Sequence, residues 1–179
     1  MNSSEFIIRE GKKIPYGGEK RENQSVLYFL KRLRNYLLFL LAYFAPSNKV
    51  RVTLNRWKGV NIADGAYIGM CVFIDNMYSE YIYIEERASV NAGAMLIAHF
   101  NPFAHFKGAL LSRVEPIVIK KGAIVAIRAI IMPNVTVGQY AIVAANSVVT
   151  EDVEAKTLVR GNPAKLVGKV KIKENQILK

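Results

Sequence analysis

The sequence predicts a parallel β-helix, and three observations lead there. An aliphatic residue recurs at every sixth position through Ile119, Val125, Ile131, Val137, Val143 and Val149. Four residues after each comes a smaller partner: Ala123, Ala129, Val135, Ala141, Ser147 and Val153. The same register appears earlier, at Ile62, Ile68 and Ile74 with Ala66 and Val72, and at Ile84, Val90 and Leu96 with Ala88 and Ala94. A period of six is neither the 3.6 of a helix nor the alternation of a half-exposed strand. It suits short strands joined by tight turns, each sending one aliphatic side chain into a shared interior. Three units make a triangular coil of about 18 residues, and coils stack by parallel backbone hydrogen bonds. The small residue fits where the interior narrows. Gly65, Gly69, Gly122 and Gly138, with Asn134 and Asn146, fall where the turns need a permissive backbone.

The end of the repeats carries a more specific pattern. The run Val148-Val149-Thr150-Glu151-Asp152-Val153, followed by Val159-Arg160-Gly161-Asn162-Pro163-Ala164-Lys165, resembles the closing segment of hexapeptide-repeat acyltransferases. That family includes maltose and galactoside O-acetyltransferases and enzymes that acetylate surface-polysaccharide sugars. The resemblance spans about residues 50–170. It implies a left-handed β-helix, a homotrimer, acetyl-coenzyme A as donor, and a sugar or polysaccharide acceptor.

Three segments follow from this reading: an arm and apolar/basic helix over 1–49, the β-helix over 50–160, and a coenzyme-binding tail over 161–179. Residues 1–23 are polar and charged and read as an irregular arm. Ser25 caps a helix that runs to Phe44 and is stopped by Pro46. Lys31, Arg32 and Arg34 interrupt its apolar residues, so it falls short of the roughly 18 unbroken apolar residues of a membrane span. It begins too far into the chain for a signal peptide and lacks a small-residue cleavage site. Two placements stay open. The helix packs on the β-helix or its trimer neighbours, or residues 26–44 lie on the inner face of the cytoplasmic membrane.

The repeat is interrupted between Leu96 and Ile119, 23 positions apart, read as a coil of 18 plus five, with a loop extruded over 97–118. Both histidines of the chain, His99 and His105, are in it. Moving an acetyl group to a hydroxyl or amine requires a base for the acceptor's proton, and imidazole suits that role near neutral pH. In the family a histidine at the start of this loop is the base. The matching residue is His99, in Leu96-Ile97-Ala98-His99-Phe100-Asn101-Pro102. Maltose-type enzymes set their histidine directly before proline, whereas here Asn101 holds that place. His105 is the reserve candidate, on the acceptor side, in the loop or at a subunit interface.

By the same resemblance, Ala126, Ala145 and Thr150 line a groove between adjacent subunits and hold the pantetheine arm. Lys165 meets phosphate, and Arg160 and Lys169 join it on charge. Ile124 stands where relatives often carry tryptophan. On the acceptor side, Asp75 and Asn76 are placed to bind a sugar hydroxyl, or else make the turn that Asp-Asn commonly forms after a strand. Tyr78, Tyr81 and Tyr83 are candidates to stack on a sugar ring or to lie on the outer strand face.

Composition agrees with one domain of 179 residues. The single cysteine, Cys71, excludes an internal disulfide and fits a reducing cytoplasm, as a small buried residue of a repeat. The net charge of +11 comes without a nucleic-acid-binding module, which leaves the phosphates of coenzyme A and a membrane surface as its partners. Catalytic zinc generally takes three protein ligands, and two histidines six apart without a cysteine or carboxylate cluster do not supply them, so no metal is expected. The remaining alternatives are N-acetylation of an amino sugar, O-acetylation of an antibiotic, and a catalytically silent trimeric scaffold.

Overall fold

The computed structural model describes residues 9–14, 26–101 and 112–171. Strand β1 (Lys12–Ile14) precedes two helices, α1 (Val26–Phe44) and α2 (Asn48–Lys58). The first coil is β2 (Asn61–Ile62), β3 (Tyr67–Ile68) and β4 (Phe73–Ile74), and the second is β5 (Ile82–Ile84), β6 (Ser89–Val90) and β7 (Met95–Leu96). An extruded pair, β8 (His99–Phe100) and β9 (Ser112–Val114), leads to a third coil of β10 (Ile117–Ile119), β11 (Ile124–Val125) and β12 (Ile130–Ile131). The fourth is β13 (Thr136–Val137), β14 (Ile142–Val143) and β15 (Val148–Val149), closed by a hairpin of β16 (Thr157–Gly161) and β17 (Ala164–Lys169).

Three sheets form the walls of a prism. They run β2-β5-β10-β13, β3-β6-β11-β14-β16 and β4-β7-β12-β15, every pair parallel. The register stacks the six-residue aliphatics on one another: Ile62 on Ile84 on Ile119 on Val137, for example. Each of these repeat aliphatics from Ile62 to Val149 is at most 2% exposed, so the periodicity is the core itself. Corner residues Gly65, Gly122, Asn134 and Asn146 take positive φ, as turns of this kind require. Gly69 and Gly138 answer a different need. A Cβ at either would lie 2.4 Å from Ala92 N or 2.5 Å from Ala155 N, in the backbone of the next coil.

The structure corrects the sequence reading at several points. No coil separates β5 from β10, which pair directly through Ile84 and Ile119, so the expected coil of 18 is absent between Leu96 and Ile119 and the described strands β8 and β9 stand outside the coils. Residues 50–58 are helical rather than the start of the β-helix, because α2 runs to Lys58 and ends on Gly59 at φ 110°. Lys12–Ile14 of the expected irregular arm is a strand, paired antiparallel to β9. Cys71 sits half-buried at a corner with φ 56° rather than in the core. Tyr81 and Tyr83 are buried and cannot stack on a ligand.

Helix α2 closes the open end of the prism. A parallel β-helix ends in three strand edges whose carbonyls need donors. Arg56 Nε donates to Ile62 O at 2.9 Å, Arg51 Nε to Ile68 O at 2.6 Å, and Lys58 Nζ to Ile74 O at 2.8 Å. One cation thus serves each wall. Arg51 also reaches Ala45 O at 2.6 Å, and Arg56 pairs with Asp64 at 2.8 Å. Helix α1 lies outside this plug, its Phe39 ring 5.6 Å from Phe73 of β4.

Candidate active site

Two insertions break the six-residue repeat, and both leave the prism at the corner between its third and first walls. The first follows β4 over 75–81; the second follows β7 over 97–116. Stacking of the coils therefore brings Asp75 beside the start of the extruded loop, and Asp75 N donates to Leu96 O at 3.0 Å.

Asp75 is 1% exposed and both carboxylate oxygens are engaged. Oδ1 accepts from the backbone N–H of Met77 at 2.9 Å and of Tyr78 at 3.1 Å. Oδ2 accepts from Ala98 N at 3.0 Å and from His99 Nδ1 at 2.5 Å. This carboxylate orients His99 and is not open to an acceptor hydroxyl. The other side of the loop fixes the backbone of His99: β8 pairs antiparallel with β9, and β1 with the far edge of β9. Tyr78 stands against the imidazole, ring centroids 5.4 Å apart at 56°. Lys12 Nζ in turn lies 5.9 Å from the Tyr78 ring centroid.

The charges reinforce the geometry. Burial pushes the Asp75 carboxyl up, but the hydrogen bond and charge of His99 and the amides of Tyr78 and Met77 outweigh it, holding the group below its usual range. The hydrogen bond to Asp75 raises the His99 pKa above its ordinary value, with burial opposing and the Asp75 charge assisting. An ionised carboxylate accepts only, so in the neutral imidazole Nδ1 carries the proton and Nε2 the lone pair. The His99 side chain is 27% exposed, enough for a substrate proton to reach it. Behind Asp75 is the buried Lys58, bonded to the carbonyl of the preceding residue, Ile74. Burial pulls the Lys58 pKa down to about 8, against the attraction of Asp75. A part-exposed imidazole held by a buried carboxylate is an arrangement that can serve as a general base.

The remaining sequence candidates separate by location. Ala126 and Ala145 follow β11 and β14 at the same corner of successive coils, where Asn146 N bonds Ile127 O at 3.0 Å. Thr150 is exposed at another corner, just after β15. Arg160 and Lys165 are exposed and face each other in the β16–β17 hairpin, with Lys169 opposite Thr157. That hairpin spans the boundary expected after residue 160. Asn76 adjoins Asp75, its amide oxygen buried without a hydrogen-bond partner among the described residues. His105 lies outside the described residues. No group of three or more His, Cys, Asp or Glu that could hold a metal occurs among the described residues.

The sequence did not disclose Asp75 as the partner of His99 or Lys58 as its neighbour. One signal was available for Asp75: Ile74 and Ile84 are ten positions apart, an insertion in the same phase as the histidine loop. Nothing comparable marked Lys58.

No protein-family profile matches the chain. Among curated proteins, it is 37% identical over 78 residues to a 2,3,4,5-tetrahydropyridine-2,6-dicarboxylate N-acetyltransferase of Staphylococcus aureus, covering 44% of this chain and 29% of that protein. It is 36% identical over 112 residues to a putative serine acetyltransferase of Schizosaccharomyces pombe, covering 63% of this chain and 40% of that protein. The chain thus spans well under half the length of either relative. Among solved structures, a maltose O-acetyltransferase of Clostridium difficile superposes with TM-score 0.64 at 18% identity, over 83% of this chain and 90% of that one. A hexapeptide-repeat acetyltransferase of Vibrio cholerae superposes with TM-score 0.65 at 22% identity, over 83% and 96% of the two chains. The same Vibrio protein complexed with acetyl-coenzyme A superposes with TM-score 0.60 at 20% identity, over 83% and 92%. The structural neighbours are hexapeptide-repeat acetyltransferases, and the fold shared with them is the left-handed parallel β-helix.

Proposed function

We propose that this chain is an acetyl-coenzyme A-dependent O-acetyltransferase whose acceptor is a sugar hydroxyl of a surface polysaccharide or its precursor, with His99 as general base. The observation that carries the reading is the Asp75–His99 hydrogen bond, built where two insertions meet on the scaffold. His99 Nε2 takes the acceptor's proton as the oxygen attacks the thioester carbonyl. The carbon–sulfur bond breaks, and the imidazolium returns the proton to the departing thiolate. Asp75 keeps Nδ1 protonated throughout and stabilises the imidazolium. No covalent enzyme intermediate is needed, because both substrates are present together.

The donor reading rests on the acetyltransferase relatives and on the cations of the last hairpin. Arg160, Lys165 and Lys169 are exposed and offer charge to the phosphates of coenzyme A. Ala126 and Ala145 offer small turns to a pantetheine arm. Thr150 lies at a different corner from those two, so a single groove using all three needs a second copy of the chain. A homotrimer working in the cytoplasm, where acetyl-coenzyme A is made, meets that need.

Incubating the protein with acetyl-coenzyme A and a panel of sugars, amino sugars and oligosaccharides, then following thiol release and product mass, tests the reading. An acetyl ester on a sugar is the expected product. An amide would move the assignment to the N-acetyltransferase alternative, and no thiol release with any acceptor would favour the silent scaffold.

A further inference from the structure

We propose that the outward face of α1 is a docking surface for an anionic lipid bilayer, on which the molecule lies without crossing it. The inference starts from the face that α1 does not use. Its body-facing side is marked by buried Ala42 and by Phe39 against Phe73. On the opposite side Val26, Leu30, Leu33, Leu37, Leu41 and Phe44 follow one another at steps of three and four, one stripe at 3.6 residues per turn. All six are between 44% and 74% exposed. A stripe of this length facing water marks a surface that meets another apolar phase. Trp57, the only tryptophan of the chain, is 65% exposed on the neighbouring helix α2, and tryptophan favours the bilayer interface.

Charge selects the occupant. Residues 26–58 contain seven Lys or Arg and no Asp or Glu. Arg51, Arg56 and Lys58 plug the β-helix, which leaves Lys31, Arg32, Arg34 and Lys49, all exposed, on the outer helical layer. A second copy of the chain would set this cationic layer against its like across a symmetric interface. An anionic leaflet complements it, the basic residues meeting the headgroups while the apolar stripe enters the acyl boundary. No helix among the described residues is long and apolar enough to span a bilayer, which suits a helix lying in the interfacial plane.

The test is co-sedimentation of the full chain with phosphatidylcholine vesicles with and without phosphatidylglycerol, at low and high salt. The protein is expected to pellet with the phosphatidylglycerol vesicles, to bind pure phosphatidylcholine far less, and to be released by salt. The double variant Leu33→Asp/Leu37→Asp should bind about tenfold more weakly or worse, with an unchanged sedimentation coefficient in the absence of lipid. Lys31→Glu/Arg34→Glu, which leaves the stripe intact, should lose the preference for phosphatidylglycerol. Vesicle binding undiminished in both variants would overturn the proposal. Absence of vesicle binding by the unaltered protein would overturn it too, and dissociation of an oligomer in the aspartate variant would then assign the stripe to contacts between copies of this chain. Neither result depends on whether the chain transfers acetyl groups.

Discussion

Asp75 acts on His99 in two ways, through geometry and through charge, and a single substitution separates them. Asp75→Asn keeps the shape but can present its NH₂ to Nδ1, which favours the wrong tautomer, and it removes the anion that raises the imidazole pKa. An imidazole acts as a base only when neutral, so under the proposed role of His99 kcat/KM should rise with pH through a pKa above 6.5. In Asp75→Asn that limb should move to lower pH and the plateau should fall by about 10²–10⁴-fold. A plateau left unchanged in a full pH–rate profile would contradict the role. Lys58, whose pKa moves down where that of His99 moves up, gives a prediction on stability. The unfolded lysine titrates near 10.5 and the folded one at about 8, so between these values the unfolded chain holds a proton that the folded chain has released. Stability from this group therefore increases as pH climbs through that window, by up to about 3 kcal/mol. Urea unfolding at either end of the window should show the increase in the native protein and a flatter response in Lys58→Met.

At the scale of elements, the β-helix was legible because each of its strands carries an aliphatic at fixed spacing, and the register from Ile62 to Val149 is that spacing made three-dimensional. The plug was not legible. Val50, Val52 and Leu54 alternate as a strand would, while the helix they belong to buries Arg51, Asn55 and Lys58, polar residues on helical spacing. Their partners are carbonyls of strands that the sequence cannot show to be an open end. Asp75 and His99 were both marked as candidates, yet their pairing depends on one coil sitting above another, 24 residues away in the chain. The short strand Lys12–Ile14 carried no periodic signal, and its partner β9 exists only because the loop is extruded. Arg51→Met tests the plug. It leaves Ile68 O and Ala45 O without their donor and should cost about 2–4 kcal/mol by chemical denaturation. A loss below about 0.5 kcal/mol, the level of an ordinary surface change, would show that the plug is dispensable.

For the whole molecule, the prism is a rigid scaffold with one modified corner. Its walls hold Asp75 and His99 in place, its last hairpin presents Arg160 and Lys165, and its helical layer covers the first coil. The central claim is that this corner performs acetyl transfer through His99. The most direct measurement is the rate of coenzyme A release, coupled one-to-one to acetylated product, in the native protein and in His99→Ala, with both sedimenting as the same oligomer. The account predicts a fall of about 10²–10⁴-fold in the variant without loss of assembly. A variant that retains the full rate would contradict it.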